Sequence, residues 1–127
     1  MKVGEAMTQR VLTTTPDKKI VDAAKLMRAE NRGSIVVVEK GRPVAIVTER
    51  DFLKKVVAEG LVPDKVTVRD VMSSPLITVA PETAMRDAAA LMTSKKVRRL
   101  PVVRNGALLG IVTASDFFPR IDWEEAI

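Results

Sequence analysis

Two short segments of the sequence carry the residue types that could hold a phosphorylated ligand. Thr48-Glu49-Arg50-Asp51 and Thr113-Ala114-Ser115-Asp116 share the pattern Thr-x-x-Asp, and each follows an apolar run. A hydroxyl and a carboxylate three residues apart at a helix start can form a capping box, which satisfies free backbone N–H groups. The same helix start suits a phosphate, and the carboxylate can accept hydrogen bonds from a ribose diol. The two roles are compatible, and the local sequence leaves both open.

Arg98 and Arg99 form a second candidate site. They stand immediately before an apolar run that begins at Leu100, whereas the first half of the chain has Gly33 and Ser34 at the matching positions. Two adjacent guanidinium groups at the start of a strand can clamp a phosphate bidentately. A pair of solvated surface charges is the alternative. Because the two halves differ here, we expect two clefts of unequal phosphate affinity.

An internal repeat must position both candidate sites. Residues 3–55 align with residues 68–120 at a constant offset of 65, without a gap and with 17 identical positions out of 53. The chain is therefore a tandem duplication, with the first copy expected at residues 1–60 and the second at residues 61–127. A unit of about 60 residues is marginal alone. We expect the copies to form one compact module about a pseudo-two-fold axis, with two equivalent clefts at their shared face.

Each copy is predicted to fold as β-α-β-β-α, which is an α/β (α+β) unit. In the first copy we expect a short strand at residues 10–14 and a helix from about Lys18, because apolar residues there recur at i, i+3, i+4 and i+7. Two β-branched runs around a Gly turn then predict a hairpin, and a second helix follows Thr48. The matching helix of the second copy is expected to end at Pro119. A short extended connector over residues 59–67 joins the copies.

The composition excludes several classes of site. The 127 residues contain no Cys and no His, which removes disulfides, thiolate metal sites and the usual general base. We therefore expect no metal site and no catalytic residue. No apolar run approaches the ~20 residues that span a bilayer and no signal peptide is visible, so we expect a soluble, cytoplasmic protein without membrane contact. Few amides among many charges resemble the composition of a thermophile, and the net charge of +5 favours an anionic partner.

The order of these features, doubled at one offset, resembles the cystathionine-β-synthase (CBS) domain family, in the form of a tandem pair or Bateman module. The resemblance covers Val3 to Phe52 and Val68 to Phe117. The first copy departs from the family's Gly-h-h-Thr-x-x-Asp signature, since it has Ala45 in place of Gly. The segments that carry the resemblance are Met7-Thr8 and Met72-Ser73, Thr15-Pro16 and Ala80-Pro81, Gly33 to Val37 and Arg98 to Val103, and Ala45 to Asp51 and Gly110 to Asp116.

The resemblance implies a non-catalytic regulatory module that binds AMP, ADP, ATP or S-adenosylmethionine, as regulatory ligands and not as cofactors, in clefts between the repeats. It implies that Asp51 and Asp116 hold ribose hydroxyls, with Thr48 and Thr113 on the phosphate side. Apolar residues at the strand ends would enclose the adenine: Ile46, Val47, Ile111 and Val112. The remaining implied ligand contacts are Ser34, Ile35, Arg50, Arg98, Arg99, Leu100 and Ser115.

Alternative functions come from other classes of protein. A structural or interaction module would pair with another protein and hold no nucleotide. A nucleic-acid binder is suggested by the pI of 9.8, but four aromatic side chains and no basic run longer than two provide little for base stacking. Against an enzyme, the sequence has no Gly-x-x-x-x-Gly-Lys phosphate loop and no Gly-x-Gly-x-x-Gly motif. If the chain is a regulatory module, the protein that it regulates is expected to be a separate chain.

Association of two copies of the chain is expected from the supply of apolar residues on the helices. Four helices on a sheet core cannot all be covered within 127 residues, so Leu53, Val56 and Val57 are predicted to remain exposed. Exposed apolar patches mark interfaces, and a closed two-fold dimer is the commonest way to cover them. We therefore expect a homodimer.

Overall fold

The structure is a computed structural model that describes residues 1–118. The first copy contains α1 (Val3–Ala6), β1 (Thr13–Thr14), α2 (Ile20–Glu30), β2 (Ser34–Glu39), β3 (Arg42–Thr48), α3 (Glu49–Asp51) and a π-helical segment (Phe52–Val57). The second copy contains α4 (Val68–Val71), α5 (Met85–Lys95), β4 (Arg99–Arg104), β5 (Ala107–Thr113) and a final 3₁₀-helix (Ala114–Phe117). The chain is thus a tandem α/β repeat, as predicted.

Both predicted hairpins are present, and their turns explain why they form. β2 pairs antiparallel with β3, and β4 pairs antiparallel with β5. The turn residues Lys40-Gly41 and Asn105-Gly106 all have positive φ, between 52° and 79°. Such angles at both central positions match the twist of the flanking strands, which is why Asn-Gly is a strong hairpin signal. The hairpins therefore have the same register, with a bulge at the same relative position in each.

The long helices α2 and α5 bury the faces that the periodicity predicts. Ile20, Ala23 and Met27 are at most 5% exposed, and they pack on the first hairpin. Each helix ends at a residue in the left-handed conformation, Asn31 with φ of 53° and Lys96 with φ of 56°. Such a residue stops a helix and turns the chain away from its axis. The next two residues of each copy then lead directly into its hairpin.

The two cores exchange their opening segments. Val66, Val68 and Val71, from the start of the second copy, pack into the core of the first copy with Ile20 and Met27. The core of the second copy in turn contains Val3, from the first copy, together with Ala88, Met92, Leu100, Val102 and Val112. Cutting the chain at residue 60 would therefore remove three buried valines from the first core. The exchange ties the copies into one folding unit.

Several local elements differ from the sequence-based predictions. The short helices α1 and α4 were not predicted, because four residues are too few for a helical period to show. The strand predicted at residues 10–14 is only β1, which pairs parallel with β2, and its counterpart is a single bridge between Val79 and Val102. The connector is not fully extended, since Pro63–Lys65 forms a 3₁₀ turn. Proline favours this first helical position because its N–H would be unpaired there.

The end of each copy also differs from the prediction. The helix after Thr113 is a single 3₁₀ turn, and Pro119, predicted to end it, lies outside the described residues. Val56 was expected to be exposed but is 2% exposed, because it points into the first core. Leu53 and Val57 are 61% and 69% exposed, as predicted.

Of the helices in residues 1–118, none is both long and apolar enough to cross a bilayer.

Candidate functional site

Two clefts lie where the copies meet, and each takes residues from both copies. The first cleft has a volume of about 430 Å³ and the second about 330 Å³. The first cleft is lined by Ile46, Thr48, Arg50, Asp51, Lys54, Lys55, Ser73, Lys96, Val97, Arg98 and Arg99. The second cleft is lined by Asn31, Arg32, Gly33, Ser34, Arg98, Arg99, Ile111, Thr113, Ala114 and Ser115. Each cleft therefore joins the end of one copy's hairpin to the beginning of the other's.

Backbone hydrogen bonds at the two clefts are equivalent, which establishes the pseudo-two-fold relation. The Ser73 N–H donates to the Ile46 carbonyl at 2.8 Å, and the Thr8 N–H donates to the Ile111 carbonyl at 2.9 Å. Both bonds join the opening segment of one copy to the last strand of the other. The exchange of opening segments thus places Ser73 at the floor of the first cleft, next to the end of β3.

Asp51 is the most enclosed ionisable group of the first cleft, at 8% exposure. Its Oδ2 accepts hydrogen bonds from the Thr48 N–H at 2.9 Å and from the Thr48 hydroxyl at 3.3 Å. Its Oδ1 accepts one from the Ser73 hydroxyl at 2.9 Å and forms an ion pair with Lys55 Nζ at 3.1 Å. Lys55 also donates to the Val71 carbonyl at 2.9 Å. Asp51 thus caps α3 with one oxygen and presents the other to the cleft.

Capping geometry alone does not distinguish Asp51, because the pattern Thr-x-x-Asp occurs a third time. Asp70 accepts hydrogen bonds from the Thr67 N–H at 3.1 Å and the Thr67 hydroxyl at 2.9 Å, and these hydrogen bonds lower its pKa. Asp70 is exposed and lines neither cleft. Asp116 accepts from the Thr113 N–H at 2.8 Å, is also exposed, and is not among the described residues that line the second cleft. Only Asp51 both caps a helix and faces a cleft within residues 1–118.

Arg98 and Arg99 belong to the second copy and line both clefts. The Arg99 guanidinium lies against Gly33 of the other copy, at the place where a Cβ would stand. The Glu49 carboxylate lies 2.7 Å from the same place. The pKa of Arg99 is lowered overall, mainly because the guanidinium is partly buried. The negative charge of Glu49 offsets part of this shift, and the positive charge of Arg98 adds to it. An arginine in this setting remains protonated at any physiological pH.

The first cleft is strongly basic and has an apolar recess beside it. Six cationic side chains line it against one carboxylate: Arg50, Lys54, Lys55, Lys96, Arg98 and Arg99. Ile46, Val97 and Arg99 also border a recess of about 80 Å³, whose other walls are Ser73, Pro75, Leu76, Ile77 and Pro101. An anion with an apolar end would match this combination of charge and apolar surface.

Four residues expected to contact a ligand lie in the cores and not in the clefts. Successive side chains of a strand point to opposite faces, so with Ile46 and Ile111 facing the clefts their neighbours must face inward. The prediction that these neighbours, Val47 and Val112, enclose an adenine is therefore corrected. The four residues, each at 0% exposure, are Ile35, Val47, Leu100 and Val112.

The sequence analysis did not identify several residues that line the first cleft. Lys55 lies four residues after Asp51, a spacing that places oppositely charged side chains together on a helix, and this signal was available. Ser73 had been noted only as part of an opening landmark, and its role depends on the exchange of opening segments, which the sequence does not reveal. Lys96 and Val97 line the cleft because α5 ends at Lys95 and the left-handed conformation of Lys96 turns the chain away from the helix axis.

Comparison with known proteins identifies the family of the chain. The CBS domain family model matches residues 3–58 and 68–122. The chain belongs to the CBS domain family, as a tandem pair. It is 46% identical to a protein of Methanopyrus kandleri, over 91% of this chain and 60% of that protein, and 38% identical to the CBS domain-containing protein YhcV of Bacillus subtilis, over 90% and 81%. A hexameric CBS-CP12 protein from bloom-forming cyanobacteria has the same fold, with a TM-score of 0.88, 34% identity, and coverage of 98% of this chain and 70% of that one. The chain thus spans less than two thirds of the Methanopyrus relative.

Proposed function

We propose that this pair of CBS repeats is a non-catalytic regulatory module that binds an adenosine nucleotide, namely AMP, ADP, ATP or S-adenosylmethionine, and transmits binding to a separate protein. The observation that carries the proposal is the first cleft, which combines a carboxylate, an apolar recess and six cations in one space. Its volume of about 430 Å³ falls within the range of roughly 300–1,000 Å³ that is usual for small-molecule sites.

The parts of a nucleotide have matching partners in the first cleft. The adenine would lie against Ile46 and Val97 at the mouth of the recess. The ribose diol would donate to Asp51 Oδ1, in place of the Lys55 ammonium. Lys55 would keep the Val71 carbonyl and the Ser73 hydroxyl as partners. The phosphates would lie among the remaining cations, because Asp51 is the one acidic residue among the described residues that line this cleft.

Calorimetric titration tests the proposal. The purified chain is titrated separately with adenosine, AMP, ADP, ATP and S-adenosylmethionine at moderate ionic strength. We expect saturable binding of at least one compound, with affinity for the phosphorylated ligands that falls as salt is added, because exposed charges are screened. The absence of binding for every compound at millimolar concentration would contradict the proposal.

A second candidate, an interaction module without a nucleotide, is favoured by one specific observation. Leu53, Val57 and Val62 are large apolar residues that are more than half exposed. If no adenosine compound raises the melting temperature, this candidate replaces the first. We also propose that the module works in the cytoplasm as a homodimer, with Leu53 and Val57 at the interface; an oligomeric relative, the cyanobacterial hexamer, is consistent with association.

A further inference from the structure

The two clefts share lining residues at their basic end. Arg98 and Arg99 line both. By the pseudo-two-fold relation, Ser34 occupies in the second cleft the position that Arg99 occupies in the first. The backbone of Arg99 thus belongs to the first cleft, while its long side chain crosses toward the second. A serine cannot make the reciprocal crossing, so the arrangement is asymmetric.

The position of the Arg99 guanidinium identifies how the crossing is made. Its Nη2 occupies the space that a Cβ of residue 33 would fill, and residue 33 is a glycine that lines the second cleft. Any larger residue at that position would push the guanidinium back toward the first cleft. Gly33 in the first copy and Arg99 in the second are therefore complementary. A second pair of arginines at positions 33 and 34 would have removed this space.

The guanidinium has hydrogen-bonding capacity left for an anion. Within residues 1–118 no carboxylate lies at ion-pair distance from it and no side-chain hydrogen bond holds it. Glu49 lies alongside and acts on it through charge. A half-buried guanidinium with free donors binds a phosphate strongly, because water competes less well there than at the surface.

We propose that Arg99 is a phosphate ligand shared by the two clefts, so that a phosphate bound in one cleft weakens phosphate binding in the other. This inference rests on the proposed function, since it concerns the same clefts. One guanidinium holds one phosphate in bidentate geometry, and a second phosphate brought close to the first also adds repulsion. The chain therefore senses phosphorylated nucleotides through two mutually inhibitory sites. Adenosine, which offers no anion to Arg99, fills the same clefts without mutual inhibition.

The experiment measures AMP binding by calorimetry in the whole chain with either cleft blocked. Arg50→Trp fills the first cleft and Ser115→Trp fills the second; both residues are exposed, so the fold should tolerate the larger side chain. Each blocked variant reports the affinity of the remaining cleft with Arg99 free to serve it. We expect both blocked variants to bind AMP more tightly than the unblocked chain binds its second AMP. For the weaker of the two variants the difference should be roughly 10- to 100-fold, the range set by a charge-assisted hydrogen bond.

Arg99→Ala, added to the unblocked chain and to both blocked variants, completes the cycle. We expect this change to weaken AMP binding in each cleft and to abolish the difference between blocked and unblocked chains. Arg98→Ala is the matched control, since Arg98 lines both clefts but is exposed; it should lower affinity and leave the mutual inhibition in place. Gly33→Ala should shift AMP affinity from the second cleft to the first.

Three outcomes separate this inference from the proposed function. Equal affinities in blocked and unblocked chains, with AMP bound in both clefts, overturn the shared arginine and leave nucleotide binding intact. Mutual inhibition that survives Arg99→Ala, or that adenosine also shows, overturns it as well, because the coupling then has another cause. Failure of adenosine, AMP, ADP, ATP and S-adenosylmethionine alike to bind anywhere overturns the proposed function itself.

Discussion

Replacing Asp51 by Asn separates the capping role of this residue from its role in the cleft. The carboxylate accepts hydrogen bonds from the Thr48 N–H, the Thr48 hydroxyl and Ser73, and forms an ion pair with Lys55. In Asp51→Asn the amide oxygen can still cap α3. The amide nitrogen is a donor and would then face the ammonium group of Lys55, itself only a donor. The change thus retains the cap and removes the acceptor that faces the cleft.

The cost of this change follows from the burial of Asp51. A lost charge-assisted hydrogen bond costs about 1.5–3 kcal/mol, and Lys55, with its side chain 41% exposed, regains part of that from water. We expect the free energy of unfolding to fall by about 2 kcal/mol. Urea denaturation followed by circular dichroism measures it, with the midpoint expected to move and the slope to stay constant. AMP affinity should fall by about 1.5–3 kcal/mol, since the ribose diol loses an ionised acceptor.

Asp70→Asn is the matched control, because Asp70 caps α4 through the same Thr-x-x-Asp geometry and lies outside both clefts. It should cost less stability than Asp51→Asn, because Asp70 is exposed, and it should leave AMP affinity unchanged. The reasoning fails if the two variants lose equal stability and bind AMP equally well. That result would mean that Asp51, like Asp70, serves only to cap a helix.

Three further predictions concern the interface, the strand faces and the acid limb of stability. Light scattering of the chain at tens of micromolar should give twice the 13.9 kDa chain mass; Leu53→Asp with Val57→Asp should give a monomer, and a monomeric parent chain would exclude the dimer. Val47→Ala should lower the free energy of unfolding by roughly 1–3 kcal/mol with little effect on AMP affinity. Ile46→Ala should weaken AMP binding with less effect on stability, because Ile46 faces the cleft and Val47 does not; similar effects of the two changes on AMP affinity would contradict the assigned strand faces. Hydrogen bonds from Thr67 hold the pKa of Asp70 below its usual 3.8 in the folded state, so its contribution is present above pH 3.8 and is lost as pH falls through the lowered pKa; the difference in urea midpoint between the parent chain and Asp70→Asn should therefore shrink between pH 5 and pH 2, and a constant difference would contradict this.

The sequence was sufficient to predict those features that depend on local periodicity and on duplication. The hairpins followed from β-branched runs around glycine turns, and α2 followed from the spacing of Ile20, Ala23 and Met27. The offset of 65 predicted the pseudo-two-fold axis and two clefts. The sequence analysis placed both Ile46 and Val47 against the adenine, although adjacent residues of a strand point to opposite faces and only one of them could face the cleft. Which of the two faces the cleft was not predictable, because both residues belong to one unbroken apolar run. Such a run gives no sign of which face is which.

The features that the sequence could not predict all depend on contacts between distant segments. Ser73 reaches Asp51 only because the opening segment of the second copy crosses to the last strand of the first, where it pairs with Ile46. The same exchange buries Val68 and Val71 in the first core. A ligand in the first cleft therefore touches both copies, and its binding free energy depends on how they are arranged. Since a ligand shifts a conformational equilibrium only by its difference in affinity for the two states, a cleft built from both copies would give the proposed regulatory module a means of converting nucleotide binding into a change that a partner protein can detect.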